Sequence, residues 1–136
     1  MKAFIVLVSF VCTLFAMSSV DAAFVLGFHE DYSTAIAEAK KEKKLLLLVI
    51  IQDPCPYSER MVYDTLSDPK AAEVLKGIVS VIVDKHALFP SQFKVDFVPM
   101  TFFIDPLKEE GIWEKMGYVP VEQFLDDVKE AHILYK

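Results

Sequence analysis

Cysteine is scarce in this chain: two in 136 residues, Cys12 and Cys55. So few exclude a fold stapled by several disulfides. Basic residues are in deficit too, with fourteen Lys and Arg against twenty Asp and Glu and a net charge of −6. A protein that tracks a phosphate backbone needs a basic face, so nucleic acid is not an expected partner. After the N-terminal apolar run there is no second hydrophobic span, no internal repeat and no low-complexity tract. The chain ends His132-Ile133-Leu134-Tyr135-Lys136, which carries no Asp-Glu-Leu type retention signal. Against these absences stands a hydrophobic content of 54%, which excludes a disordered chain. The length allows one domain with a real core and little else.

Residues 1–22 read as a secretory signal peptide: Lys2, an apolar run over residues 4–17, then Ser18-Ser19-Val20-Asp21-Ala22. The run is shorter than the roughly 20 residues a spanning helix needs. Val20 and Ala22 suit the −3 and −1 positions, so cleavage is expected after Ala22, leaving residues 23–136 as a single domain. If the segment is kept instead, it tethers the same domain to the outer face of a membrane, the one circumstance in which a membrane is a partner. Removal takes out one Lys and one Asp, so the charge stays at −6, and it takes out Cys12. Cys55 is then the one thiol of a protein in a compartment where disulfides form. Such a thiol either pairs with another molecule, a disulfide-linked homodimer included, or is reactive in its own right. A bacterial periplasm is the expected location, otherwise the medium or a secretory-pathway lumen.

Asp31 or Ser33 is placed to cap a helix running to about Lys43, whose lysines complement the negative end of its dipole. Residues 45–51 are continuously apolar and too short for a buried helix, so they predict a strand covered on both faces. Gln52-Asp53-Pro54 breaks it, and a helix opens at Cys55-Pro56-Tyr57-Ser58 and runs to about Leu66. Ser67-Asp68-Pro69 starts a short helix that Gly77 ends. Strands are expected over residues 78–83, 100–104 and 112–117, with a short helix over 89–94 and a turn over 106–111. Pro120 starts a last helix with an apolar stripe of Val121, Phe124, Leu125, Val128, Ala131 and Ile133. The first two strands are joined through helix and should be parallel; the last two should form an antiparallel hairpin. The expectation is an α/β fold, a four-stranded mixed sheet with helices on both faces.

Cys55 marks a place where a buried strand ends and a helix begins. The first helical N–H groups lack intrahelical partners, and the dipole is positive there. That setting stabilises a thiolate, the nucleophile of disulfide exchange. Ser58 lies three residues on, one turn along the same face, where its hydroxyl is placed to donate to the sulfur. A free cysteine is more often a small buried hydrophobe. That bland role favours the inside of an apolar run, whereas Cys55 is flanked by Pro54 and Pro56 at an element boundary.

Strand, Cys-Pro-Tyr-Ser, helix, then Val98-Pro99 before a β-hairpin and a terminal helix: over nearly all of residues 23–136 this resembles the thioredoxin-like fold. Residues 44–68 look most like the periplasmic thioredoxin-like domains of bacterial thiol-disulfide interchange proteins. The resemblance implies that Pro99 is cis and faces Cys55, and that the Val98 backbone pairs with an extended substrate strand. From the residues alone, Val98-Pro99 is equally a strand-entry proline, since most X-Pro bonds are trans. Three departures matter. Ser58 stands where a dithiol enzyme has its resolving cysteine, so a mixed disulfide at Cys55 must wait for an outside thiol. Asp53-Pro54 stands where the family usually has Trp, and Asp53 would oppose thiolate formation. The acidic residue usual in the preceding strand is missing from residues 45–51. The motif also resembles that of monothiol glutaredoxins, whose glutathione contacts are not recognisable here. It resembles the Cys-Pro-X-Ser site of the anterior-gradient proteins too, whose retention signal is lacking.

Other candidates carry less. His29, His86 and His132 show no metal-ligand spacing, and no metal or cofactor is expected. Trp113 reads as packing. Tyr57 either touches a partner or covers the helix start, and Arg60 is either a solvated charge or a support for an anion. Two functions remain open. One is a monothiol thiol-disulfide oxidoreductase or isomerase: Cys55 is the nucleophile, Ser58 the donor, and Tyr57, Val98 and Pro99 the substrate contacts. Its partners are protein thiols or disulfides, with a small-molecule thiol as resolving agent. The other is a non-catalytic, chaperone-like module that captures a partner peptide or dimerises through Cys55. Fold alone does not choose between them.

Overall fold

The sheet is built around a strand with no polar side chain. In the computed structural model, which describes residues 17–135, β1 (Leu46–Ile51) is buried at every position. Its alternate side chains feed two separate cores. Leu47, Val49 and Ile51 point to one face with Met61, Val62, Phe103 and Phe124. Leu46, Leu48 and Ile50 point to the other with Tyr32, Ile36, Phe93 and Phe102. The period-two alternation of a strand makes this division.

Parallel β2 (Val79–Asp84) flanks β1 on one side and antiparallel β3 (Met100–Asp105) on the other, and β4 (Glu110–Met116) closes the order β2-β1-β3-β4. This is the expected four-stranded mixed sheet with its C-terminal hairpin. β4 starts at Glu110 rather than Ile112, because the register slips between Phe103 and Ile104 and extends the pairing to Asp105 and Glu110.

Helix α2 (Tyr32–Glu42) covers one face with Tyr32, Ala35, Ile36 and Ala39. Its N-cap is Asp31, whose carboxylate accepts from the Thr34 N–H at 2.9 Å. The other face is covered by α1 (Ser19–Leu26), α3 (Pro56–Arg60), α4 (Pro69–Leu75) and α5 (Val121–Leu134). Both proline-initiated helices form where the sequence places them. Asp68 caps α4, and Pro120 is the N-cap of α5 rather than its first residue. The helix opened at Cys55 does run to Leu66, but its second half, Met61–Leu66, is a π-helix. That widened turn brings Met61, Val62, Thr65 and Leu66 all inward.

Three details differ from expectation. The helix over residues 89–94 shrinks to one 3-10 turn, Ser91–Phe93. Ile133 does not belong to the stripe of α5 and is 56% exposed, because with about 3.6 residues per turn it lies on the side of the helix opposite Phe124, Val128 and Ala131. And α1 is an element the sequence reading does not contain. Residues 1–16 of the expected leader lie outside the described residues, and the processing point expected after Ala22 falls inside α1. Among the described residues no helix is long and apolar enough to cross a membrane.

Two outcomes follow. Phe103 is fully buried, its ring 6.3 Å from that of Phe124, so Phe103→Ala should cost about 3–5 kcal/mol in urea unfolding. The Asp31 carboxyl is held down to about 2 from its ordinary 3.8, chiefly by the Thr34 hydroxyl, then by the Ser33 hydroxyl and the Thr34 N–H. A lowered carboxyl stabilises the fold above its unfolded value, and that stabilisation is lost as pH falls through the folded value. Acid titration of the urea midpoint should therefore show a smaller loss between pH 3.8 and about 2 in Asp31→Ala than in the parent chain.

Candidate functional site

β1 delivers the chain to one end of the sheet, and three other segments reach that same end. β2 stops there at Asp84, paired with Ile51; β3 begins there at Met100, paired with Ile50; β4 finishes there at Met116, paired with Met100. Gln52, Asp53 and Pro54 turn the chain beyond Ile51, with a cis bond between Asp53 and Pro54. Cys55 follows in extended geometry (φ −152°, ψ 111°) as the N-cap of α3, with Pro56 as the first helical residue. Its carbonyl accepts from the Glu59 N–H at 3.0 Å, which closes the first turn. Cys55 is a free thiol and only half-buried, so it is not a sealed core residue.

Ser58 is brought to the same turn but faces inward and is 2% exposed. Its oxygen accepts from the Gln52 N–H at 3.4 Å, tying the helix start to the strand end. Among the described residues no hydrogen bond joins Ser58 to Cys55. The strand end offers a backbone donor on the inner side of the turn, and the serine lies against it. Tyr57 points the other way and is 60% exposed.

Val98-Pro99 enters this end immediately before β3, and its peptide bond is cis. Pro99 is buried, and its carbonyl accepts from the Gly117 N–H at 2.7 Å. Gly117 has φ 84°, a left-handed conformation that suits glycine, and so brings the end of β4 against the proline. Among the described residues the Val98 N–H and C=O have no hydrogen-bond partner. The 85–99 segment that presents Val98 is braced by two lysines: Lys85 Nζ donates to the Asp96 carbonyl at 3.1 Å and Lys94 Nζ to the Ala87 carbonyl at 2.7 Å. Four large apolar side chains on the segments meeting here are exposed: Tyr57, Leu88, Phe97 and Met116.

The remaining candidates lie elsewhere. Arg60 stacks over the Tyr118 ring at 4.2 Å and pairs with Asp64 at 3.5 Å. His29 bonds to Glu38, and His86 and His132 are exposed. Among the described residues no three His, Cys, Asp or Glu side chains cluster as a metal site. Trp113 is half-buried on β4, and its indole N–H donates to Asp127 at 3.0 Å. Sequence reasoning missed Asp127, a carboxylate 2% exposed on α5 with Lys115 at 3.8 Å. Its one signal was a charge seated between Phe124 and Val128 on the apolar side of a helix.

A family model described as thioredoxin-like matches residues 28–106. No curated protein sequence matches the chain. Among solved structures, a thioredoxin from Thermus thermophilus is 22% identical with a TM-score of 0.68, over 78% of this chain and 87% of that one. The C-terminal domain of DsbD from Neisseria meningitidis, in the oxidised form, is 15% identical with a TM-score of 0.62, over 76% and 98%. A periplasmic thioredoxin, SoxS of Paracoccus pantotrophus, is 14% identical with a TM-score of 0.57, over 68% and 100%.

The geometry separates Arg60 from the thiol. Arg60→Ala should leave the rate of Cys55 alkylation by iodoacetamide in the native protein within about twofold of the parent, because this cation is spent on Tyr118 and Asp64. A slowing of tenfold or more would make Arg60 a support for the thiolate.

Proposed function

Because the chain belongs to the thioredoxin-like family, we propose that it is an exported monothiol protein acting in thiol-disulfide exchange through Cys55. One observation carries the reading. A half-exposed thiol stands at a strand-to-helix junction, at the same end of the sheet as a cis-proline entry whose preceding backbone is unpaired.

In the proposed reaction the Cys55 thiolate attacks one sulfur of a client disulfide. A new S–S bond joins Cys55 to that sulfur, the client S–S bond breaks, and the other client sulfur leaves as a thiolate and takes a proton from water. Nothing is oxidised or reduced overall in this step. Ser58 has no sulfur with which to expel the client, so the mixed disulfide is resolved by a second thiol, either on the client or on a small molecule. Resolution by the client's own thiol shuffles its disulfides; a small-molecule thiol that attacks the Cys55 sulfur releases the client reduced and stays disulfide-bonded to Cys55, until a second such thiol frees Cys55 and leaves as the small-molecule disulfide.

The serine hydroxyl accepts from Gln52 and keeps its own hydrogen, which among the described residues has no acceptor, for a sulfur that carries charge. An extended client segment would pair with the free N–H and C=O of Val98 across Pro99, with Tyr57 beside the sulfur. Export is supported by the leader-like N-terminus and by likeness to a structure described as a periplasmic thioredoxin.

A second reading keeps the groove and discards turnover, leaving a module that holds a partner peptide or dimerises through Cys55. The absent resolving cysteine and the exposed Tyr57, Leu88, Phe97 and Met116 favour it. One experiment addresses both. The parent protein, mixed with a disulfide-bonded peptide, should accumulate a mixed disulfide by mass spectrometry, and Ser58→Cys should release the peptide about 10-fold faster or more through an intramolecular thiol. Cys55→Ala should form no adduct. Absence of any adduct with the parent, together with peptide binding retained in Cys55→Ala, would establish the binding module instead.

A further inference from the structure

Helix α1 is part of the folded domain, yet the bond after Ala22 would cut it in two. Ala22 is wholly buried and Ala23 is 2% exposed, and both belong to the core that holds Leu47, Val62, Leu66 and Phe103. Ala23 is also the anchor of the helix end: its carbonyl accepts from the Gly27 N–H and, at 2.9 Å, from the Phe28 N–H. Phe28 leads into His29, whose N–H donates to the Ser80 carbonyl and whose carbonyl accepts from the Ile82 N–H along β2. A cut after Ala22 would turn the Ala23 nitrogen into a charged ammonium against the apolar core, at a residue 2% exposed in the intact chain. Burial of an unpaired charge is among the most destabilising events in a fold. It would also leave four helical residues, too few to hold a helix.

Small residues at −3 and −1 define a signal-peptide cut, and the segment before α1 offers a second such pair, Ala16 and Ser18. We propose that the leader is removed at the Ser18–Ser19 bond, so that the exported chain begins with α1 entire. The proposal rests on the export reading above. The new ammonium would lie on Ser19, which is half-buried, with the exposed Asp21 in the same turn to offset its charge against the helix dipole. The cut gives up the Ser18 cap, whose oxygen accepts from the Asp21 N–H at 3.1 Å, and the buried Met17. Met17 belongs to the same core as Ala22 and Ala23, so this cut gives up one core residue, whereas the cut after Ala22 gives up Met17 and Ala22 and puts a charge on Ala23.

The test is the intact mass of the full chain expressed in a bacterium and recovered from its periplasm, for the parent and two variants. Ser18→Phe places bulk at −1 of the proposed bond. Val20→Phe places bulk at −3 of the bond after Ala22, at a position 55% exposed and tolerant of a large side chain. The expected result is a parent and a Val20→Phe chain both starting at Ser19, with Ser18→Phe accumulating uncut or cut elsewhere. A parent starting at Ala23, with Val20→Phe blocked, overturns the bond assignment and leaves export standing. A parent recovered uncut overturns the assignment and the removal of a leader together. Cys55 adduct formation measured on the same samples reads the thiol chemistry separately from either.

Discussion

Burial of β1 on both faces is the constraint from which the rest of the molecule follows. Six residues without a polar side chain tolerate water on neither side, so each face must carry its own layer of helix. Its neighbours are fixed by the same demand, since only central pairing satisfies all of its N–H and C=O groups away from solvent. A strand held this way leaves the sheet at a defined point and angle. Cys55 owes its position to that exit, four residues past Ile51, and not to contacts of its own.

The consequence for chemistry is that the site is assembled from segments with no interest in one another. The turn after β1, the start of β3 and the end of β4 meet because the sheet brings their termini to one edge. Gly117 and the two lysine struts then hold Val98-Pro99 at the same end of the sheet as that turn. In the proposed exchange, a client reaching the Cys55 thiol would find the Val98 backbone at the same end of the sheet. Serine in place of a resolving cysteine would, in that exchange, change how long the client stays and not how it docks.

Much of this was legible in the residues. The apolar run at 45–51 declared a doubly buried strand, prolines 69 and 120 marked helix starts, and the spacing of Cys55 and Val98-Pro99 suggested their fold. What was illegible has physical causes. The residues of α1 sit next to the leader's apolar run, which hides any amphipathic pattern in them. Helix periodicity sets Ser58 one turn from Cys55, but it says nothing of the Gln52 N–H that donates to the serine oxygen from the strand end. The inward lean of Asp127 depends on Trp113 of β4, fourteen residues away in sequence and across a turn. Ile133 is apolar, but the period of α5 sets it opposite Phe124, Val128 and Ala131, on the solvent side.

His29 has an effect out of proportion to its size. With one N–H and one C=O it occupies the outer margin of β2 at Ser80 and Ile82, as a strand one residue long. At the other side of the sheet, β4 carries Glu110, Glu114 and Lys115. One histidine thus withdraws two backbone groups of β2 from pairing with another chain.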